Sequence, residues 1–434
     1  MTRACEIRAV HARRVWDSRG RPTVEAEVHL HDGATGRAIV PAGASKGTRE
    51  ALELRDGGQR FGGLDVQRAV SHVNGEIATA VRGMAAEDQA ALDERLIALD
   101  GTPNKSRLGA NATLAVSMAA AHAAAASHGV PLYRYLGGAD ATLLPMPQIQ
   151  IFGGGAHAGR RVDIQDFMVV CPAAESFAQA LEWTAEVYRH AGLAMRSRGV
   201  DCGIADEGGW WPAFDTNEQA LEALLRAIES AGFVPGEQVA IALDVAASDF
   251  GRAGRYTLGL ERRELDSDGL IELLLRWCER FPIASIEDPL AEDDLLAFAR
   301  FTQAVGTRLQ VVGDDLLVSD AALVQQAAAV GAANTVLLKP NQRGTLTETL
   351  RCWHAARAAG YAGIVSARSG ETEDTTIVDL AIGWQVGQLK VGSFARGERT
   401  AKWNAALRIE ERLGAQARFA GKDVFGRSRR RAAG

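Results

Sequence analysis

Three acidic residues each follow a short apolar run: Asp244 ends VAIALD, Glu287 lies in ASIED and Asp314 follows LQVVG. If folding brings them together, the three anions repel one another unless a cation holds them. Hard oxygen ligands without cysteine or clustered histidine favour Mg²⁺, or Mn²⁺ as a substitute, over zinc. A single acidic residue at a strand end is commonly a helix cap or an ion-pair partner. The prediction of a metal site therefore depends on all three acting together.

Two lysines, Lys339 in TVLLK and Lys390 in QLKVGS, occupy similar positions further along the chain. Near Mg²⁺ or another cation the pKa of a lysine is lowered, which makes its amine usable as a general base. A divalent metal and a lysine can together stabilise the dianion that forms when a proton is removed next to a carboxylate. The alternative for either lysine alone is a surface charge with a snorkelling stem.

A second group of residues suits a phosphate or another oxyanion. Arg368, Ser369 and Gly370 offer a guanidinium fork, a hydroxyl and backbone N–H groups. The loop AGASKG, residues 42–47, is small enough to close over such a group, although similar loops also serve as plain connectors. In ADEGGWWP, Glu207 precedes paired glycines and tryptophans. This pattern predicts either a desolvated carboxyl that stays protonated as an acid or a turn with a packed aromatic pair.

The spacing of the apolar runs indicates how these residues are positioned. Successive ionisable strand ends from Asp244 to Lys390 are 22 to 43 residues apart, and one βα unit takes about 30 residues. This spacing predicts parallel strands with returning helices in a closed α/β barrel, whose strand ends meet at one mouth. An open doubly wound sheet is the alternative, but no GxGxxG follows an early strand.

The first part of the chain has a different pattern. The alternation in TVEAEVHLHDG, residues 23–33, predicts a strand that reaches a turn. The run TLAVSMAAAHAAAA, residues 113–126, predicts a buried helix rich in alanine. We therefore expect a small α+β domain up to about residue 138.

Composition predicts an ordinary soluble globular protein, since the chain has 434 residues, 47% of them hydrophobic and 24% charged. No apolar run reaches the roughly 20 residues of a bilayer span and the start lacks a signal-like stretch, so we expect a cytoplasmic protein without a membrane partner. A net charge of −6 argues against nucleic-acid binding. The five cysteines lack CxxC spacing, so neither a disulfide framework nor a zinc site is expected.

The chain resembles the enolase family almost from end to end, in several specific motifs. They are GANATLAVSMA (109–119), DEGG (206–209), SIED (285–288), VGDDL (312–316), LLKPNQRGTLTETL (337–350) and RSGETEDTTIVDLA (368–381). The resemblance implies a modified eight-stranded (β/α) barrel with an N-terminal α+β capping domain. Residues 1–138 would form the cap, 139–420 the barrel and 421–434 a basic, disordered tail. It also implies two Mg²⁺ ions per subunit, a small anionic phosphorus-containing substrate, and a homodimer or a multiple of dimers.

The resemblance also implies a role for each candidate residue. The metal ligands would be Asp244, Glu287 and Asp314 for the first ion, and Ser45 with the substrate phosphate for the second. The catalytic residues would be Lys339 as the C2 base, with Glu207 and Asp166 assisting hydroxide loss from C3. The substrate contacts would be His157, Gln165, Arg368, Ser369, Lys390 and Ser45, with Lys390 stabilising the ene-diolate.

Some positions depart from the family pattern. Ala367 replaces a histidine that directly precedes the phosphate-binding arginine, and Asp166 replaces a glutamate, which shortens that carboxylate by one methylene. Added positive charges are Lys46, Arg160, Arg161 and Arg343. We therefore expect more positive charge and more room at the phosphate end of the site, and altered specificity at these positions.

These departures leave several interpretations open. One is drift in an ordinary enolase that acts on 2-phosphoglycerate. Another, slightly favoured by the sequence, is a bulkier or more anionic substrate, such as a carboxyphosphono derivative that yields the carboxyphosphonoenolpyruvate of phosphonate antibiotic pathways. A non-catalytic relative with a structural or adhesion role would explain the loss of histidine at Ala367. A sugar-acid dehydratase is the remaining alternative, but it would not require Arg368 and Ser369.

Overall fold

The N-terminal region forms a three-stranded antiparallel sheet covered by helices. Its strands are β1 (Ile7–Trp16), β2 (Pro22–Leu30) and β3 (Thr35–Ile39). Its helices are α1 (Gln67–His72), α2 (Ala78–Val81), α3 (Gln89–Asp100), α4 (Ala110–Ser127) and α5 (Leu132–Gly137). The computed structural model describes residues 3–426, except residues 45, 198, 200–202 and 307.

Helix α4 packs directly on this sheet, against β2 and β3. Small alanine side chains allow a close approach of the two backbones. A Cβ atom added at Gly36 of β3 would lie 2.1 Å from the carbonyl oxygen of Ala119. The buried Ala-rich helix and the strand that ends near residue 30 are both present.

Eight strands, each with mostly buried side chains, close into a barrel. They are β5 (Met146–Gly153), β6 (Asp166–Val170), β7 (Ala240–Asp244), β11 (Ile283–Glu287), β12 (Gln310–Gly313), β13 (Thr335–Leu338), β14 (Ala362–Ser366) and β15 (Gln388–Gly392). The short strands outside the barrel are β4 (Leu143–Leu144), β8 (Gly251–Arg252), β9 (Arg255–Leu258), β10 (Arg263–Asp266) and β16 (Arg418–Phe419). The predicted closed barrel with an N-terminal capping region is confirmed.

Helices connect the strands of the barrel and surround it. They are α6 (Phe177–Ser197), α7 (Asn217–Ser230), α8 (Ser267–Arg280), α9 (Leu295–Val305), α10 (Ala321–Val330), α11 (Leu346–Ala358), α12 (Thr376–Gly383) and α13 (Gly397–Leu413). Several begin at a side-chain cap, such as Asp320, which accepts hydrogen bonds from two backbone N–H groups of α10. None of the described helices combines the length and the apolar character that a membrane crossing requires.

One barrel strand runs against the others. Strand β6 pairs antiparallel with both β5 and β7, so the barrel begins with a hairpin before its six βα units. Asp166 therefore lies at the start of its strand, directly across from Asp244 at the end of β7. Both residues consequently lie at the same mouth of the barrel.

The end of the described chain packs against the opposite side of the barrel from this mouth. Strand β16 pairs with β4, and residues 423–426 form a short helix, α14 (Asp423–Gly426). Val424 of this helix is buried beside Met146 and Ala240, and its carbonyl oxygen accepts a hydrogen bond from Gln310. The ordered chain thus continues past residue 421, where the sequence suggests the start of a tail, because apolar residues follow it. Residues 427–434 lie outside the described residues.

Candidate active site

The strand ends surround a polar cavity with about 380 Å³ of free space, including its mouth. Most of the candidate residues named from the sequence line it: His157, Gln165, Asp166, Glu207, Asp314, Lys339, Arg368, Ser369 and Lys390. Ala367 lines it as well. Ser45 lies outside the described residues, but its neighbour Ala44 contributes to the wall.

Lys390 joins the first two carboxylates of the predicted metal site. Its Nζ donates hydrogen bonds to Asp244 Oδ2 at 2.6 Å and Glu287 Oε2 at 2.8 Å, and lies 3.5 Å from Asp166 Oδ2. Burial by itself lowers the pKa of Lys390, but these three carboxylates together raise it well above its ordinary value. Lys390 is therefore a fixed positive charge in the centre of the acidic group.

Lys339 forms a second ion pair, in which its Nζ donates to Asp314 Oδ2. Burial lowers the pKa of Lys339, but Asp314 and Glu287 together raise it above its ordinary value. The neighbouring cations Arg368 and Lys390 act to lower this pKa, as expected from the sequence, and the carboxylates oppose them.

The backbone and neighbours of Lys339 are also fixed. The N–H group of Lys339 donates to Ser319 Oγ, which donates in turn to Gln342 Oε1 at 2.6 Å. Gln342 Nε2 donates to Asp314 Oδ1 at 2.8 Å. The predicted base and one predicted metal ligand are therefore held by one hydrogen-bonded network.

The residues present fit a divalent cation. Glu287 Oε1 and Gln165 Oε1 are buried oxygens without a hydrogen-bond partner among the described residues. Burial, followed by the charge of Asp244, raises the pKa of Glu287 well above its ordinary value. A bound cation would favour the ionised form of this carboxylate. Asp244, Glu287 and Asp314 offer oxygen ligands that Mg²⁺ prefers.

Two further acids, Asp288 and Asp315, lie beside the predicted metal ligand Asp314, and the sequence predicted no role for either. The carboxylates of Asp288, Asp314 and Asp315 lie within 4.8 Å of one another. Asp288 accepts hydrogen bonds from the backbone N–H groups of Asp314 and Asp315, at 2.9 and 2.7 Å. Asp288 thereby fixes the turn that follows β12, from which Asp314 reaches the cavity. Its position next to Glu287 in the SIED motif was the available signal.

The other side of the cavity carries an acid and histidine cluster. His157 Nδ1 lies 3.5 Å from Glu207 Oε1 and 3.9 Å from Asp166 Oδ1. Burial lowers the pKa of His157, but Glu207 and Asp166 together raise it above its ordinary value. Burial opposes ionisation of Asp166, yet Lys390, His157 and Gln150 together lower its pKa to about 2. The cluster therefore combines two carboxylates with a histidine whose protonated form they favour, which are groups that can pass a proton to a departing hydroxide.

Arg368 is positioned at the predicted phosphate end. Its guanidinium donates to both carboxylate oxygens of Glu50, at 3.0 and 3.2 Å, and its backbone N–H donates to Glu371. The loop around Gly43 packs on it so closely that a Cβ there would lie 1.9 Å from a guanidinium nitrogen. Ser369 Oγ accepts a hydrogen bond from Arg19 at 3.2 Å. Sequence reasoning missed Glu50, which is distant in the chain and part of an unremarkable charged stretch.

The added cations are paired with other groups and are not among the residues that line this cavity. Lys46 pairs with Glu53 at 2.6 Å, and Arg343 with Asp320 at 2.7 Å. Arg160 donates to the carbonyl oxygen of Asp249, and Arg161 stacks 4.4 Å above Trp211. Each charge has a nearby acceptor or aromatic ring that the local sequence did not reveal. Ala367 is the departure that does line the cavity beside Arg368.

The family models agree with this architecture. A model described as "Enolase, N-terminal domain" matches residues 7–136, and one described as "Enolase, C-terminal TIM barrel domain" matches residues 141–428. The protein "Enolase 1" of Desulfitobacterium hafniense (strain Y51) is 49% identical over 423 residues, which cover 97% of each chain. The chain therefore belongs to the enolase family, as its motifs predicted, and it is a hydro-lyase of the enolase type.

Proposed function

We propose that this protein removes the C2 proton of 2-phosphoglycerate and expels the C3 hydroxide, giving an enolpyruvate phosphate. The observation that carries the proposal is that one cavity is lined by a candidate base, Lys339, a candidate acid, Glu207, and a candidate phosphate ligand, Arg368. Deprotonation beside a carboxylate and loss of hydroxide need a base and an acid at the same substrate. The family relationship supports the same chemistry.

Each residue then has a task. Lys339 acts as a base only in its neutral form, so the ammonium that now pairs with Asp314 must lose a proton before it accepts the one from C2. Glu207 donates a proton to the departing hydroxide, while Asp166 and His157 hold that carboxyl group in place. Lys390 remains charged and stabilises the ene-diolate.

We also propose two Mg²⁺ ions per subunit. Asp244, Glu287 and Asp314 would hold the first, and Ser45 with the substrate phosphate would hold the second. The ions would supply positive charge for the substrate carboxylate and the ene-diolate. The unpartnered Glu287 Oε1 is the structural support for the first site.

A carboxyphosphono analogue is the second candidate substrate. Its support is Ala367, which lines the cavity beside Arg368 where the family has an imidazole. The added arginines and Lys46 no longer support it, because their charges are directed to Glu53, Asp320, Asp249 and Trp211. The geometry therefore favours the ordinary substrate.

Turnover measured from enolpyruvate absorbance distinguishes these substrates. We expect purified protein with Mg²⁺ to convert 2-phosphoglycerate, and Lys339→Ala to abolish conversion. The variant Ala367→His provides the specificity control, since an added imidazole should lower turnover of the carboxyphosphono analogue more than that of 2-phosphoglycerate. Efficient conversion of the analogue without conversion of 2-phosphoglycerate would establish the second candidate. Conversion of neither would overturn the proposal.

We further propose that the chain forms a homodimer or a multiple of dimers. The enolase resemblance supports this state, and so does an exposed aromatic pair in the capping region. Trp16 and Phe61 are 50% and 39% exposed, with ring centroids 5.2 Å apart. Exposed aromatic side chains are enriched at protein interfaces. Light scattering should give an even multiple of the monomer mass, and Trp16→Ala with Phe61→Ala should lower that multiple. A wild-type monomer would refute this proposal.

A further inference from the structure

Gln150 is a fully buried residue of β5, and its pattern in the sequence did not predict a role for it. Its side chain lies between two parts of the leaving-group machinery. Gln150 Nε2 donates to Asp166 Oδ1, and Gln150 Oε1 accepts the backbone N–H of Gly209 at 2.8 Å. Gly209 follows Glu207 by two positions in the DEGG segment. One amide group therefore links the carboxylate of Asp166 to the segment that carries Glu207.

The chemistry of the two partners fixes the orientation of this amide. Asp166 Oδ1 accepts the hydrogen bond from Gln150 Nε2, and the backbone N–H of Gly209 can only donate. The amide nitrogen must therefore face Asp166 and the amide oxygen must face Gly209. The residue is fully buried, so losing either bond would leave a polar group without a partner.

The backbone at Gly209 lies directly against the amide group of Gln150. A Cβ atom on Gly209 would lie 2.4 Å from Gln150 Oε1 and 2.9 Å from its amide carbon. Glycine is required there for the amide to approach the peptide. The segment is held on its other side by Ser393, whose N–H donates to the Glu207 carbonyl oxygen at 2.8 Å. A change in the length of the side chain at position 150 would therefore shift both Glu207 and Asp166.

We propose that Gln150 is a positioning residue, matched in length to Asp166, that sets the geometry of the groups expelling the C3 hydroxide. The inference rests on the proposed function. Asp166 is one methylene shorter than the glutamate of the enolase pattern, and the long glutamine side chain fills that distance. An asparagine at position 150 would be too short to reach Asp166, but it would reach the longer side chain of a glutamate at position 166.

A double-mutant cycle tests this length matching. In Gln150→Asn the amide cannot reach both partners, and in Asp166→Glu the longer carboxylate crowds Gln150. We expect each single change to lower the elimination rate by roughly ten- to a hundredfold, the effect of an unsatisfied buried polar group. The combined Gln150→Asn, Asp166→Glu variant has the original total number of methylene groups and should recover most of the rate. If the two losses in elimination rate multiply in the double variant, the proposal is overturned.

A second readout separates positioning from general damage to the fold. Exchange of the C2 proton with solvent deuterium reports the action of Lys339, whereas product formation also requires hydroxide loss. The single variants should lose elimination while retaining most of the C2 exchange. Gln148→Asn is the matched control, because Gln148 is equally buried in the same strand but bonds to Gln388 at 3.1 Å. This control should leave the ratio of elimination to exchange unchanged.

The two proposals fail in different ways. A wild-type protein that shows neither C2 exchange nor elimination overturns the proposed function. The midpoint of thermal unfolding tests the Gln150–Asp166 pairing without any substrate. Each single change should lower this midpoint and the double variant should recover it, whereas additive lowering would contradict the pairing itself.

Discussion

Arg368 and Arg343 show that similar charges in neighbouring motifs can have unrelated roles. Arg368 lines the cavity and is held by Glu50 through both of its terminal nitrogens. Arg343 instead pairs with Asp320 and lies 3.5 Å from Glu348. Both arginines were associated with the phosphate end from the sequence. The structure supports this placement for Arg368 alone.

This difference gives a prediction at the level of single residues. Arg368→Lys keeps the charge but loses the planar fork that binds phosphate oxygens in pairs. We expect KM for 2-phosphoglycerate to rise by about tenfold, equivalent to about 1.4 kcal/mol of lost binding, with a smaller effect on kcat. Steady-state kinetics measures both constants. Arg343→Gln, the matched control, should leave both within twofold; a large effect there would contradict its assigned position.

The sequence predicted individual site residues where one strand end supplied one ionisable group. Lys339, Lys390 and Asp314 follow apolar runs, and that local pattern is sufficient to place them at the barrel mouth. Gln150 and Glu50 could not be selected in this way. Their importance comes from partners that are distant in the chain, Gly209 and Arg368, which only the folded structure brings into contact.

At the level of elements, the βα spacing predicted the six strands from β7 to β15 but not the reversed strand β6. Its sequence, DFMVV, is apolar almost throughout, and its five residues are buried. A short strand buried on both faces has the same pattern in either direction, so its orientation cannot be read from the sequence. The family resemblance implied a modified barrel, and the pairing of β6 with β5 and β7 shows where the modification lies.

Two buried acids join the capping region to the helices of the barrel. Asp93 of α3 accepts a hydrogen bond from the backbone N–H of Thr347 at 2.9 Å, and Asp379 of α12 accepts one from Tyr133 at 3.0 Å. Burial raises the pKa of Asp93 to about 6 and that of Asp379 to about 7. At both contacts the folded structure therefore favours the protonated form of the aspartate.

The raised pKa values of Asp93 and Asp379 predict how the free energy of unfolding depends on pH. An aspartate in the unfolded chain has a pKa of about 3.9, which lies below both folded values. The folded state therefore binds more protons, and the stabilisation present below about pH 4 is lost as pH rises to about 7. Each pKa unit corresponds to about 1.4 kcal/mol, so shifts of about 2 units for Asp93 and about 3 units for Asp379 set a maximum loss of about 7 kcal/mol.

The combined variant Asp93→Asn, Asp379→Asn should remove that loss, because the amides keep acceptor oxygens without ionising. Urea unfolding at pH 5 and pH 8 would show the variant gaining stability relative to wild type at the higher pH. Asp268→Asn, at an exposed acid, is the control and should not change the difference between the two pH values. A parallel pH dependence in all three proteins would show that the junction acids are not responsible.

For the whole molecule, the acidic cavity couples metal binding to stability. Buried carboxylates such as Glu287 repel one another in the folded chain and are separated in the unfolded chain. We expect Mg²⁺ at about 100 times its dissociation constant to stabilise the fold by about 2.7 kcal/mol, measured as a higher midpoint of thermal unfolding. Glu287→Gln should lose this increase, and NaCl at equal ionic strength should not produce it. An equal increase in Glu287→Gln would place the ion elsewhere.

The closing contact of the barrel has a consequence for synthesis of the chain. Strand β15 is the last barrel strand to leave the ribosome, and it closes the barrel by pairing with β5, the first. The same strand carries Lys390, the positive charge among the carboxylates. A growing chain that stops before residue 388 thus has an open sheet edge and lacks the ion-pair partner of Asp244 and Glu287. The final strand completes the hydrogen bonding and the charge balance in one step, so partially made chains should depend on chaperones until it emerges.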